Sequence, residues 1–205
     1  TIVALSRVVV GAHFFTDVVA GGLLSLVVYK TLSILIFRNY PSYLILEYNF
    51  KQHSQLYYML IFFLSICLFL TFGPTFDLYI SGLFYYGNSQ FALQSYDLFS
   101  KIVRQIFLPL VLVYILIFPI IGRFLNTRIV FFNYRFSTKE IILIWSSQII
   151  TVLIFVNLLL KNYWGRTRPG DVLEFGGNNS FTTWYQFSNN CSENCSFVSG
   201  DASVG

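Results

Sequence analysis

The chain has 205 residues, of which 56% are hydrophobic, 20% aromatic and only 11% charged, and its mean hydropathy is +0.65. A water-soluble domain carries about 25% charged residues, so this composition excludes an ordinary soluble domain and predicts an integral membrane protein. The net charge of +4 comes from basic residues that are scattered or flank apolar runs. That is a membrane-topology pattern rather than a nucleic-acid groove, and no nucleic-acid partner is expected. No secretory signal is expected either, because residue 1 is Thr and no basic stretch precedes a cleavage site.

In chain order, residues 1–12 read as the end of an apolar segment that turns at Gly11. Phe14 to Phe37 is apolar except for Asp17 and Lys30. At about 1.5 Å per residue it is long enough to cross a hydrocarbon core about 30 Å thick. Gly21-Gly22 within it predicts a close helix–helix contact, and Arg38-Asn39-Tyr40-Pro41 ends it. Residues 39–55, with Glu47, Lys51 and His53, read as a loop or short interfacial helix, and His53 as a solvated loop residue. Leu56–Phe72 is a second predicted span, closed by Gly73-Pro74. Residues 74–104 carry Asp77, Asp97, Lys101 and many aromatics, and predict a loop at the level of the lipid headgroups. Gln105–Ile121 is a third predicted span, with Pro109 and Pro119 tolerated near its ends or as kinks. Ile141–Leu160 is a fourth, and Lys161 opens a polar tail containing Arg166, Arg168, Asp171, Glu174, Glu193 and Asp201.

The basic loops predict the orientation. Loop 122–139 holds Arg123, Arg128, Arg135 and Lys139 with no acid, so it is expected on the cytoplasmic side. Alternation puts 38–55 on that side too, and the start of the chain, 74–104 and the tail on the outer side. Cys67 reads as a filler in an apolar run. Cys191 and Cys195 can form a disulfide if the tail is extracytoplasmic. Zinc is disfavoured there because no His or further Cys lies near them.

Three stretches carry chemistry. In Ser6–Asp17, His13 and Asp17 are four residues apart and would share one face of a helix. A carboxylate there can fix the imidazole's tautomer and orientation for nucleophilic or base chemistry; the plainer alternative is a polar helix start with an incidental His. Lys161 and Arg168 are seven apart and would share a face if the helix persists to Pro169. Two converging cations make a phosphate site; the alternative is a juxtamembrane basic cluster, which an outer-face position disfavours. In Ser196–Ser203, the Ser199-Gly200 turn can offer a hydroxyl and backbone N–H groups to an anion, or Ser199 or Asp201 can simply cap the next helix.

Together, Lys161-x6-Arg168-Pro169, the Ser-Gly turn at Ser199-Gly200 and Ser6-Arg7-x5-His13-x3-Asp17 resemble the three signatures of the type 2 phosphatidic acid phosphatase family. The resemblance implies an all-α, polytopic membrane helix bundle, here with four spans of a six-helix core. It implies a lipid phosphatase working through a phosphohistidine at the extracytoplasmic face, in the inner membrane of a bacterium with the site facing the periplasm. His13 would be the nucleophile and Asp17 its orienting partner. Lys161, Arg168 and Arg7 would clamp the phosphoryl oxygens, with hydrogen bonds from Ser199 and Gly200. The substrate would be a lipid phosphate, and neither a metal nor another cofactor would be needed, because three cations supply the charge.

Two departures from the family pattern stand out. Asp201 follows Ser199-Gly200 where the family has a histidine that protonates the leaving group; the expectation is that Asp201 acts as general acid through burial. This Cys-Ser-Phe-Val-Ser-Gly-acid form resembles the branch related to lipid A 4′-phosphatases, which implies a glycolipid phosphate. The signature order is also permuted, so residues 1–38 resemble the C-terminal part of a phosphatase core, 39–55 a cytoplasmic linker and 56–205 the N-terminal part of a core. A lipid phosphotransferase and a catalytically inactive membrane scaffold are the alternative functions.

Overall fold

A computed structural model describes residues 2–37, 74–92, 102, 105–106, 108–124 and 136–204. The predicted linker 39–55, the predicted span 56–72, and Cys67, Asp97, Lys101, Arg128 and Arg135 lie outside the described residues.

The chain opens with helix α1 (Ile2–Val9) and reverses at Gly11, whose φ of +71° suits only glycine without strain. Helix α2 (Phe15–Phe37) follows, at 23 residues about 34 Å long. His13 therefore sits in the turn before α2 rather than on it, because the Gly11 reversal delays helix formation until Phe15. Asp17 lies in the first turn of α2, where its Oδ2 accepts the backbone N–H of Phe14 at 3.0 Å. That bond satisfies an amide just ahead of the helix, and a carboxylate is favoured there by the helix dipole.

Residues 74–82 form helix α3, followed by a two-strand hairpin of β1 (Tyr85–Gly87) and β2 (Gln90–Phe91). Asn88 and Ser89 both take positive φ, the conformation a two-residue hairpin turn needs to match strand twist. Within the segment predicted as a headgroup-level loop, the described residues 74–92 form this helix and hairpin, with Tyr79, Leu83 and Tyr86 exposed and Phe91 turned inward. Phe91 is buried with Phe14, Val172 and Phe175, and its ring fills the space where a Cβ on Gly11 would stand. A buried aromatic gains far more from this core than from an interfacial position, which is why the hairpin folds over the turn.

Helix α4 (Leu108–Phe124) is 17 residues long, about 26 Å, and is shorter than the two long apolar helices. Helix α5 (Thr138–Tyr163) runs 26 residues. It starts at a capping box in which Ser137 Oγ accepts the Glu140 N–H and Glu140 accepts the Ser137 N–H. It is α-helical over Thr138–Gln148 and Lys161–Tyr163 and winds as a wider π-helix over Ile149–Leu160. It ends at Gly165, whose φ of +70° turns the chain away. Beyond lie two short 3-10 turns, Pro169–Asp171 and Leu173–Phe175, and a final helix α6 (Gly200–Val204).

The described residues are mostly helical, and two helices, α2 and α5, are long and apolar enough to cross a membrane. They pack side by side through Val156, Phe197 and Val198, with Ala20, Leu24, Leu160, Trp164 and Trp184 around them. Gly21 lets α2 approach the tail: a Cβ there would lie 2.5 Å from the Ser199 carbonyl, whereas Gly22 faces open space. The outward faces expose apolar side chains, among them Ile34 at 68%, Leu26 at 58% and Leu153 at 55%. Such a belt is at home in hydrocarbon rather than water. The start of α2 and the end of α5 lie together, and the buried polar groups concentrate there.

Candidate functional site

His13 is the centre of this cluster and is buried. Its Nδ1 lies 2.8 Å from the backbone carbonyl of Ser196. A carbonyl can only accept, so Nδ1 carries the proton and the lone pair of the neutral imidazole is on Nε2. Burial holds the imidazole well below its ordinary 6.5, and the charges of Arg168, Lys161 and Arg7 act in the same direction. The Ser196 bond opposes them and is outweighed. The site therefore disfavours the charged imidazole, and burial and three nearby cations act together to do so.

The carboxylate of Asp17 does not bond to His13. Its Oδ2 is 3.9 Å from Nδ1, too far for a hydrogen bond. Instead, Ser196 Oγ donates to that oxygen while the Ser196 carbonyl receives His13. Asp17 thus reaches His13 through Ser196, because the imidazole lies ahead of α2 and is not stacked one turn from the carboxylate.

Behind Asp17 stands a residue that the motif spacing did not single out. Arg166 is fully buried. Its NH1 donates to Asp17 Oδ1 at 2.5 Å and to Thr16 Oγ1 at 2.8 Å, its NH2 to Asp77 Oδ2 at 2.7 Å, and its Nε to the Thr182 carbonyl at 3.0 Å. The guanidinium carbon lies 4.4 Å from the centre of the Phe14 ring, a cation–π contact. Asp77, from α3, also accepts the Thr16 N–H at 3.0 Å and the Thr16 hydroxyl. Burial pushes the Asp77 carboxyl up despite the pull of Arg166, and the neighbouring Asp17 adds to the push. The available signal was the pair of acids next to apolar runs, since buried carboxylates need a cation. The spacing could not say that Arg166, rather than Arg168, would turn inward.

The remaining predicted residues gather on the open side. The α5 helix stops at Tyr163, so Lys161 and Arg168 do not share a helical face. They converge on Asn194, whose Oδ1 is 3.4 Å from Lys161 Nζ and whose backbone carbonyl accepts from Arg168 at 2.8 Å. Gly200 lies beside Lys161: a Cβ on it would be 3.7 Å from Nζ. The Ser199 hydroxyl is buried and has no protein hydrogen-bond partner among the described residues. Asp201 Oδ2 faces Arg7 Nε at 3.0 Å, with a fifth of its side chain exposed. Asp201, expected as a general acid, is thus engaged by Arg7 of α1 at the edge of the cluster. Cys191 and Cys195 form a disulfide. Among the described residues, no group of three or more His, Cys, Asp or Glu side chains is placed to hold a metal ion.

The chain is similar to curated lipid A 4′-phosphatases. It is 32% identical over 134 residues to the protein named Lipid A 4′-phosphatase from Francisella tularensis subsp. novicida, covering 64% of this chain and 59% of that relative. It is 28% identical over 144 residues to the protein of that name from Rhizobium leguminosarum, covering 63% of this chain and 60% of the relative. A third, from Rhizobium etli, is 44% identical over 50 residues, 24% of this chain and 20% of the relative. The chain thus spans less than two thirds of the length of these relatives. No family model matches, and no solved structure matches.

Proposed function

We propose that this chain carries the phosphoryl-transfer site of a membrane lipid phosphatase, acting on a lipid-linked phosphate monoester through a phosphohistidine. The observation that carries the reading is a buried, neutral His13 whose Nδ1–H is fixed by a backbone carbonyl and whose Nε2 is left to attack. Arg168, Lys161 and Arg7 supply positive charge for the phosphoryl oxygens, and Ser199 Oγ supplies a hydrogen bond. Nε2 forms a bond to phosphorus as the phosphorus–oxygen bond to the lipid breaks, and the leaving alkoxide takes up a proton. Water then attacks phosphorus, the nitrogen–phosphorus bond breaks, and phosphate leaves. Asp17, through Ser196, steadies the imidazole while it carries extra charge.

The type 2 phosphatidic acid phosphatase resemblance and the similarity to lipid A 4′-phosphatases both favour a phosphorylated lipid, and the latter a glycolipid. The disulfide supports an oxidising, extracytoplasmic location for the site, as does the basic loop predicted for the opposite side. The apolar outer faces of α2 and α5 would let a lipid present its headgroup without leaving the bilayer. Asp201 has two possible roles: proton donor to the leaving oxygen, or anchor for Arg7. The 3.0 Å contact favours the anchor.

The test is phosphate release from a lipid phosphate by the full-length protein in detergent or vesicles. His13→Ala should abolish release, since nothing else among the described residues offers an imidazole. Release that survives this change, or phosphate transfer to a lipid acceptor without release, would overturn the hydrolase reading. Asp201→Asn separates the two roles: an anchor raises KM with kcat little changed, and a proton donor lowers kcat.

A further inference from the structure

The two cations that the helix fails to align are brought together by a loop at the other end of the tail. Cys191 and Cys195 close a loop with a separation of 4 residues and Cα atoms 5.7 Å apart. Asn194 sits inside it with φ of +50°, a left-handed conformation that side-chain-bearing residues seldom take. That conformation presents both of its oxygens to the open side of the site: the backbone carbonyl to Arg168 at 2.8 Å and Oδ1 to Lys161 at 3.4 Å. The loop is also pinned to the end of α5, since Cys195 N–H donates to the Lys161 carbonyl at 3.2 Å and Ser196 N–H to the Arg166 carbonyl at 2.8 Å. The next residue, Ser196, is the one that orients His13. One short covalent ring therefore precedes the residue that orients His13 and carries a contact point shared by both cations.

We propose that Asn194 is a positioning residue for Lys161 and Arg168, and that the Cys191–Cys195 bond holds it in place. Phosphate affinity then depends on the oxidised state of this loop. The inference rests on the phosphate-site reading above. The physical reason is entropy: two long cationic side chains lose rotamer freedom when they grip an anion, and a fixed acceptor that already holds them close removes part of that cost. Without the ring, Asn194 is free to leave its left-handed conformation, and the carbonyl that Arg168 uses swings away. Arg168 gives up the stronger of the two contacts, judged by distance. Cys191 is only partly buried, so a thiol can reach it. A dithiol reductant would convert the bond to two thiols and itself become the cyclic disulfide, so electrons and protons balance.

The experiment measures inorganic phosphate affinity of the full-length protein in detergent, oxidised and after reduction by a dithiol, by isothermal titration calorimetry. Reduction should weaken binding roughly three- to tenfold, the effect of loosening one charge-assisted hydrogen bond. Reoxidation should restore the affinity, which a collapse of the fold would not do. Asn194→Gly keeps the left-handed backbone and the Arg168 contact and deletes only the Lys161 contact. It should cost roughly twofold in affinity and retain its sensitivity to reduction. In turnover, both changes should raise KM by a larger factor than they lower kcat, because the two cations meet the phosphate in the ground state as well as in the transition state. Unchanged phosphate affinity on reduction, or a loss of kcat alone, would overturn the clasp while leaving the phosphate site standing. Absence of phosphate binding in the oxidised protein would overturn both.

Discussion

Replacing Arg166 by Met tests whether this buried guanidinium holds the site together. The change keeps most of the side-chain volume and removes the bonds to Asp17, Thr16, Asp77 and the Thr182 carbonyl. Two carboxyls then share a fully buried space without their cation. Removing one partner of a buried ion pair costs about 3–5 kcal/mol, and for a chain of this size that lowers the apparent Tm by about 6–20 °C. The pH dependence carries a sign. The folded Asp77 carboxyl lies above its ordinary 3.8, so the native state keeps a proton that the unfolded chain has released. Stability therefore falls as pH rises through the window from the ordinary value up to the raised one. Taking Arg166 away removes the pull that limits this rise, so the window extends upward. Arg166→Met should lose more stability near about pH 7 than near about pH 5. Asp77→Asn is the milder comparison: its amide oxygen can still accept from Arg166, its NH2 group then faces the Thr16 N–H, and Arg166 and Asp17 are left as a one-to-one pair. It should cost about 1–3 kcal/mol, one unsatisfied buried donor. Tryptophan fluorescence of the detergent-solubilised protein reports the transition, since Trp164 and Trp184 pack against the site core. Equal losses at the two pH values, or equal losses for the two variants, would refute the assignment of Arg166 as the counter-ion of both acids.

Two further outcomes follow from the same geometry. The acid limb of kcat/KM should lie below the ordinary histidine value of 6.5, because burial and the cations hold His13 neutral. Arg168→Gln should move that limb upward while reducing the rate, as a pH–rate profile would read. The sign for stability is opposite to that of Asp77: below 6.5 the unfolded histidine takes up a proton that the buried one refuses, so stability is full above that value and declines as pH falls. Gly21→Ala should cost about 1–3 kcal/mol and depress activity, because its Cβ would stand 2.5 Å from the Ser199 carbonyl. Gly22→Ala, with nothing within 4 Å, should leave thermal stability and activity unchanged in the same assays.

The sequence by itself picked out the candidate site residues and showed that the chain is rich in apolar helical segments. Lys161, Arg168, Arg7 and His13 were legible because charge and imidazole beside long apolar runs are costly and therefore informative. The long apolar helix read at Phe14–Phe37 was legible because length and composition suffice to mark it, and the structure has it at Phe15–Phe37. Tertiary structure alone decided how those residues meet. Arg166 and Arg168 are chemically identical and two positions apart, yet one is sealed behind Asp17 under the Phe14 ring and the other reaches the Asn194 carbonyl on the open side. Asp77 joins the network from 61 residues beyond Thr16, a distance no local spacing encodes. The groups that fix His13 and Arg168 are the backbone carbonyls of Ser196 and Asn194. Every residue owns such a carbonyl, so its aim is invisible in a string of side chains and is set only when the chain has folded around it.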